Sequence, residues 1–280
     1  MAGPRHGAGV SGFVSPPAGQ VNDNDPMTAT FDDLVAEAAA APVEGWDFSW
    51  LDGRATEQRP SWGYQRLLSR RLVGASAAVD LQTGGGEVLA AADRFPPAMA
   101  ATEAWPPNLA RATRRLHPRG VVVVATTDEP VLPFGDDAFD LVTSRHPNSV
   151  WWSEIARVLR PGGRYFAQHI GPGSAGEIAE FFLGPRPWAP DPRHPDAETA
   201  QAHAVGLEVV DVRLERLRME FFDVGAMVYF LRKVIWIVPG FSVERYRRRL
   251  QDLHDRIQAE GRFVAHSTRV LFEAQRRQRR

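Results

Sequence analysis

A chain of 280 residues, 44% hydrophobic and 24% charged, suits one globular domain with an elaboration, and it is long enough to bury a full core without staples. It contains no cysteine, which excludes disulfides, thiolate metal sites and cysteine nucleophiles. A formal net charge of −1 makes no global electrostatic case for nucleic acid. No apolar run reaches the ~20 residues that a membrane-spanning helix needs, and the N-terminus lacks the apolar core of a signal peptide, so the expected location is the cytoplasm.

Residues 1–26 are rich in Gly, Pro, Ala, Asn and Asp without periodicity and read as a disordered tail. Helical pattern begins soon after Met27: Phe31, Leu34 and Val35 share a face, and Asp32 and Asp33 favour a first turn. Trp46-Asp47-Phe48-Ser49-Trp50-Leu51 is an aromatic cluster, and Tyr64 to Leu72 predicts an amphipathic helix. Residues 27–75 therefore read as an N-terminal helical segment, with the aromatic cluster and Trp62 as either a lid or a hydrophobic anchor.

From residue 76 strands and helices alternate. Strands are expected at Ala77 to Leu81, Met99 to Thr102, Val121 to Val124, Phe139 to Ser144 and Tyr165 to His169, with Val121 to Val124 buried. Between them lie a helix from about Glu87, one over Asn108 to Leu116, and one over Trp151 to Leu159 stopped by Pro161-Gly162-Gly163. A loop over Gly184 to Pro195 precedes a helix at Glu198 to Val205 and a strand at Leu207 to Val212. The strongly apolar Val224 to Trp236 falls in a cap insertion at about 218–242. Ser242 is the expected N-cap of a long helix, Val243 to Ala259, closed by Gly261, and Val264 to Phe272 is the last strand. The basic run Arg276 to Arg280 reads as a solvated terminus. This alternation predicts an α/β fold over 76–280, a Rossmann-like, doubly wound sheet of seven strands with helices on both faces, plus the N-terminal lid and the C-terminal cap insertion.

The central motif is Val79-Asp80-Leu81-Gln82-Thr83-Gly84-Gly85-Gly86-Glu87, between the first strand and first helix of the sheet. Glycines there let the backbone turn tightly and approach a ligand. Glu103 follows at the end of the second strand, where a carboxylate can accept both hydroxyls of a ribose. Asp128 and Glu129 follow the third strand, where a carboxylate can accept from an adenine amino group. All these positions fall at the carboxyl ends of neighbouring strands, the edge at which open α/β sheets bind ligands.

Taken with Phe139-Asp140-Leu141-Val142 and with Glu154-Ile155-Ala156-Arg157-Val158-Leu159-Arg160-Pro161-Gly162-Gly163, this run resembles the class I S-adenosylmethionine-dependent methyltransferases, in particular the small-molecule subgroup that includes ubiquinone-biosynthesis-type enzymes. The resemblance implies S-adenosyl-L-methionine as cofactor. It implies that Asp80, Leu81, Gln82, Thr83, Gly84 and Gly86 hold its methionine part, that Glu103 binds the ribose, and that Ala104 and Trp105 flank the adenine. Asp128 and Glu129 would meet the adenine edge, and Ser144 would join the site from the end of the fourth strand. Gln82 stands where the family usually has glycine, so its side chain either crowds the cofactor or adds a polar contact. A nicotinamide dinucleotide fits less well, because the loop lacks Gly-x-Gly-x-x-Gly spacing and Asp80 would repel a pyrophosphate.

Class I methyl transfer is an in-line attack on a sulfonium methyl, to which positioning contributes much. His146 and His169, at the ends of the fourth and fifth strands, are the general-base candidates; the same positions also suit loop caps or pocket walls. Arg145 could bind an acidic acceptor or be a solvated charge. Val224 to Trp236 and the N-terminal aromatics are expected to enclose an apolar, small-molecule acceptor pocket, with Tyr229, His146 and His169 as its polar groups. His203, His254 and His266 show no metal-ligand pattern, and no metal is expected. The alternative reading is a non-catalytic S-adenosylmethionine-binding or regulatory protein of the same fold.

Overall fold

The computed structural model describes residues 29–43, 45, 47–185 and 191–278. The tail at 1–26, Trp46, part of the proline-rich loop and the last two arginines lie outside the described residues.

Among the described residues eight strands form one sheet: β1 (Ala55–Glu57), β2 (Ala77–Leu81), β3 (Ala98–Glu103), β4 (Val122–Ala125), β5 (Phe139–Arg145), β6 (Leu159–Ile170), β7 (Leu207–Phe221) and β8 (Phe263–Arg276). Their order is β1-β7-β8-β6-β5-β2-β3-β4. Strands β2 to β6 pair in parallel, as βαβ crossovers require. β8 runs antiparallel to both β6 and β7, and β1 runs antiparallel to β7 at the edge.

The helices are α1 (Phe31–Ala40), α2 (Tyr64–Gly74), α3 (Glu87–Ala90), α4 (Pro106–Leu116), α5 (Trp152–Val158), α6 (Gly176–Leu183), α7 (Pro195–Ala204), α8 (Val224–Lys233) and α9 (Val243–Glu260). Two apolar clusters cover the sheet's two faces. One gathers Leu68, Leu72, Leu116, Leu141 and Phe166, and the other Val142, Trp152, Ile155, Tyr165 and Phe272.

Three expectations change. The sheet has eight strands rather than seven, because β1 is three residues long and carries no alternation that a sequence reading can detect. The valines of β4 are not buried: β4 is the sheet's edge, and Val122 is 61% exposed. A short apolar run fits an edge strand as well as a central one. Finally, β7 continues far past Val212. In Arg216-Leu217-Arg218-Met219-Glu220-Phe221 the apolar residues are buried and the charged ones turn outward, so the period of two persists beneath the charges.

The extra length of β7 has a structural consequence. Ile170, the last residue of β6, lies opposite Arg269 of β8, which lies opposite Glu215 of β7. The rest of the β7–β8 pair therefore runs on past the carboxyl ends of the parallel strands. There it meets α1, α6, α8 and α9 in a third apolar cluster built on Leu34, Phe182, Phe221, Met227, Phe230, Leu250 and Phe263, which we call the cap.

Caps at the helix starts fix this unit. Thr30 and Asp33 exchange a reciprocal capping box at α1, and Asp223 and Ser242 accept from the first-turn amides of α8 and α9. Helix α8 crosses α1 at Gly225, where a Cβ would stand 2.7 Å from the Leu34 carbonyl oxygen, so only glycine permits that approach. Among the described residues no helix is long and apolar enough to cross a membrane.

Candidate active site at the carboxyl edge of the sheet

Asp80 ends β2 in a buried position, where the Thr143 hydroxyl of β5 donates to its carboxylate at 2.5 Å. Burial pushes the Asp80 carboxyl up to about 6, and Thr143, Thr83 and Arg145 pull it partly back. The turn that follows places Gln82, Gly84 and Gly86 at φ of 53°, 65° and 79°. Two of these are glycines, which take the left-handed region freely, but Gln82 does so at a cost of roughly 1–2 kcal/mol.

The contacts of Gln82 account for its tolerance of that backbone. Its amide nitrogen donates to the Ser149 carbonyl, and its amide oxygen accepts from the Asn148 amide, both at 2.8 Å. The side chain thus ties the Gly-rich turn to the loop after β5. The turn is held to β3 as well: the Gln82 amide donates to the Thr102 hydroxyl at 3.1 Å, and the Thr83 amide to the Thr102 carbonyl at 2.9 Å. At Gly86 a Cβ would meet Leu116 of α4 at 2.9 Å, so the turn also packs closely on that helix.

Glu103 closes β3 with little exposure. One carboxylate oxygen accepts from the Gly84 amide at 2.8 Å and the other from the Trp105 amide at 2.9 Å. A carboxylate offers about four acceptor positions, so about two remain for a ligand. Ala104 follows it, and Trp105 is 48% exposed beside it. Asp128 and Glu129 lie exposed beyond β4. Ser144, by contrast, is turned inward: its hydroxyl donates to the Leu81 carbonyl at 3.2 Å, and its own carbonyl accepts from the Tyr64 hydroxyl at 3.0 Å. It ties β2 to β5.

The two histidines are held differently. His146 takes φ of 55°, and its amide donates to the Gln168 carbonyl at 2.7 Å. Trp62 Nε1 donates to Gln168 Oε1 at 2.8 Å, which leaves the Gln168 amide nitrogen to donate to His146 Nε2 at 2.9 Å. That assigns the His146 proton to Nδ1. Burial, with Arg145 and Arg269 nearby, holds the imidazole well below its ordinary value, so it is neutral at pH 7.

His169 points to the opposite face of the sheet. Its Nδ1 lies 2.9 Å from both Glu198 oxygens, its Nε2 lies 2.9 Å from the Tyr165 hydroxyl, and its ring stacks on Phe272. Burial and the Glu198 charge push the Tyr165 hydroxyl well above its usual value, so it stays protonated and donates to Nε2. The ring is 2% exposed with both nitrogens engaged.

The structure thus brings Asp80, the 82–86 turn, Glu103, Ser144 and His146 to one edge, with His169 behind the sheet. Sequence reading missed Tyr64, Gln168 and Glu198. Gln168 stands one residue before His169, so alternation puts it on the His146 face; nothing in the sequence signalled Glu198. Arg145, read as either a ligand or a solvated charge, is half-buried. Tyr229 is 3% exposed within the cap, stacked on Trp50 at 4.7 Å with its hydroxyl donating to the Asp47 carbonyl. It is a core residue of the cap, which corrects the expectation that it lines an acceptor pocket. Among the described residues no group of three or more His, Asp or Glu could hold a metal ion.

Comparison with known proteins agrees with this geometry. Residues 79–167, which span the Gly-rich turn through β6, match the model of a methyltransferase domain family. No curated protein sequence matches the chain. Among solved structures, a putative methyltransferase from Bacillus halodurans is similar over 76% of this chain and 98% of its own, at 18% identity and a TM-score of 0.54. The YcgJ protein from Bacillus subtilis is similar over 77% and 99%, also at 18% and 0.54. A protein of unknown function from Deinococcus radiodurans is similar over 80% and 91%, at 17% and 0.51. At such identities these three likenesses speak for the fold.

Proposed function

We propose that the chain, whose residues 79–167 match a methyltransferase domain family, is a class I S-adenosylmethionine-dependent methyltransferase that methylates a small organic acceptor seated between the carboxyl edge of the sheet and the cap. The observation that carries this reading is Glu103, buried at the end of β3 and hydrogen-bonded to the Gly84 amide of the turn. That pairing sets a ribose-binding carboxylate beside a backbone that a ligand can approach closely. The net charge of −1 and the cap beyond the edge both favour an enclosed small molecule over a polyanion.

In this reading Glu103 binds the ribose, the 82–86 turn and Asp80 hold the amino-acid end, and Trp105, Asp128 and Glu129 border the adenine. When bound, the cofactor supplies an electrophilic methyl group on a sulfonium. The protein's part is to orient the acceptor and exclude water. His146 is the base candidate at the edge, being neutral at pH 7; accepting the acceptor's proton at Nε2 requires the Gln168 amide to give way. His169 serves to brace β6 against α7.

The test is S-adenosylhomocysteine release from the full chain with a panel of small acceptors. Turnover with at least one is expected. Tight cofactor binding without turnover on any would instead support a non-catalytic or regulatory protein, a reading that the engaged Nε2 of His146 and the two engaged nitrogens of His169 favour.

Gln82 offers a separate test. If its side chain competes with the cofactor for the space between the two loops, Gln82→Gly should tighten S-adenosylhomocysteine binding by about 1 kcal/mol, the scale of the exchanged hydrogen bonds. Weaker binding in calorimetry would instead make Gln82 a cofactor contact.

A further inference from the structure

Among the described residues, the buried and half-buried charged side chains along the carboxyl edge are matched to partners, with one exception. Asp80 accepts from Thr143, and Glu103 accepts from two amides. Arg269 of β8 donates to Glu57 at 2.7 Å and to the Thr268 carbonyl at 3.0 Å, and Glu57 also accepts from the Ser267 hydroxyl at 2.5 Å. Arg145, the last residue of β5, is half-buried, yet among the described residues its guanidinium makes no hydrogen bond and no ion pair. Around it lie the uncharged Tyr64 hydroxyl, Asp80, Glu57 and Arg269, and the last of these repels it. A guanidinium has five N–H donors in a planar fork, and holding it away from water without an acceptor is costly. Such a fork is shaped for two parallel oxygens.

Strand register says where a ligand on Arg145 would lie. Side chains alternate along β5, so Arg145 projects to the same face as Thr143, which holds Asp80. It is in register with Gln168, the residue that bonds His146. In the sheet order, β2 and β3 lie to one side of β5, and β6 and β8 to the other. Glu103 and the Gly-rich turn are therefore on one flank of Arg145. Arg269 and the β7–β8 extension into the cap are on the other. A group bound to Arg145 sits on the cap side of Asp80, away from the ribose position and next to His146.

Shape and charge together select a carboxylate over a phosphate. Arg145 and Arg269 share the edge with the carboxyl groups of Asp80, Glu57 and Glu103, that of Asp80 pushed up to about 6 by burial. S-adenosylmethionine brings one net positive charge, from a sulfonium and an ammonium against one carboxylate. With the Asp80, Glu57 and Glu103 carboxyl groups already at the edge, a singly charged, planar carboxylate suits the Arg145 fork better than a phosphate dianion, which is tetrahedral and adds a second negative charge.

We propose that Arg145 is a substrate-binding residue that receives a carboxylate carried by the methyl acceptor, so that the acceptor is a small carboxylic acid. This inference rests on the methyltransferase reading above. It gives the acceptor a fixed anchor beside His146, from which its nucleophilic atom can be aimed at the sulfonium methyl.

The test uses the full chain saturated with S-adenosylhomocysteine and titrated calorimetrically with matched acids and amides: benzoate and benzamide, octanoate and octanamide, indole-3-acetate and its amide. At least one acid should bind tenfold or more tightly than its amide. In Arg145→Gln that preference should vanish while S-adenosylhomocysteine affinity stays within about twofold, and Arg145→Lys should restore part of it. Equal binding of every acid and its amide, or binding of none, overturns the proposal; this comparison needs only the wild-type chain and stands even if a variant fails to fold.

A further arm asks whether the carboxylate is the cofactor's own, by comparing S-adenosylhomocysteine with 5′-methylthioadenosine, which lacks the amino-acid end. An unchanged preference between these two in Arg145→Gln supports the acceptor assignment. A lost preference overturns it and gives Arg145 to the cofactor. Failure of S-adenosylhomocysteine to bind the wild-type chain removes the methyltransferase reading itself, and this proposal with it.

Discussion

Tyr229→Ala is expected to destabilise the chain by about 3–5 kcal/mol, the usual cost of truncating a large buried aromatic, and to leave cofactor affinity nearly unchanged. The ring is 3% exposed and stacks on Trp50 at 4.7 Å. It belongs to the same apolar cluster as Met227, Phe230 and Leu250, so its removal leaves a cavity in the middle of the cap. For a chain of this size the loss corresponds to a melting temperature lower by roughly 10 °C. Tyr229→Phe separates packing from polarity: it keeps the stack and loses the hydroxyl's bonds to the Asp47 carbonyl at 3.2 Å and from Lys233 Nζ at 3.4 Å, about 1–2 kcal/mol together. Thermal melts of the two variants beside calorimetry with S-adenosylhomocysteine check the account. A stable Tyr229→Ala protein with altered acceptor turnover would return Tyr229 to the pocket.

Why Tyr229 reads as a pocket residue from sequence and as core in the structure is instructive. Val224 to Trp236 is apolar nearly all round, which says that the segment is buried but not against what. Its partner surface comes from α1, nearly two hundred residues earlier, and from the continuation of β7. That continuation was hidden because Arg216, Arg218 and Glu220 interrupt the apolar positions, although the alternation itself was intact. The central strands were legible for the opposite reason. Ala77 to Leu81, Phe139 to Ser144 and Tyr165 to His169 are short apolar runs bounded by turn residues, and local pattern fixes them.

The site divides in the same way. Asp80, the Gly-rich turn and Glu103 were legible because their chemistry depends on position along one βαβ unit. The departure at Gln82 was visible too, but not its tie to Asn148 and Ser149, which requires the loop after β5 to lie alongside. The burial of Arg145 and the clamp of Glu198 on His169 depend on tertiary packing and leave no trace in local sequence. For that reason two histidines with equal standing in the sequence have unequal standing in the fold.

Glu103→Ala should weaken S-adenosylhomocysteine binding by about 1–3 kcal/mol, the scale of charge-assisted hydrogen bonds lost to a ribose, or roughly 5- to 150-fold. Binding of 5′-methylthioadenosine should fall by a similar factor, because it shares the ribose and lacks the amino-acid end. The substitution also frees the Gly84 and Trp105 amides, so a modest fall in melting temperature is expected with it. Glu103→Gln, with one acceptor oxygen in place of two, should fall between the wild type and the alanine variant. A loss confined to S-adenosylhomocysteine would place Glu103 on the amino-acid end instead, and an unchanged affinity for both ligands would remove it from the site.

The most direct measurement is a crystal structure of the full chain with S-adenosylhomocysteine. Both ribose hydroxyls should lie within hydrogen-bonding distance of the Glu103 carboxylate, with the amino-acid end along residues 82–86 and the sulfur turned toward Asp80 and His146. A nucleoside bound elsewhere, or a ribose facing away from Glu103, would contradict the account.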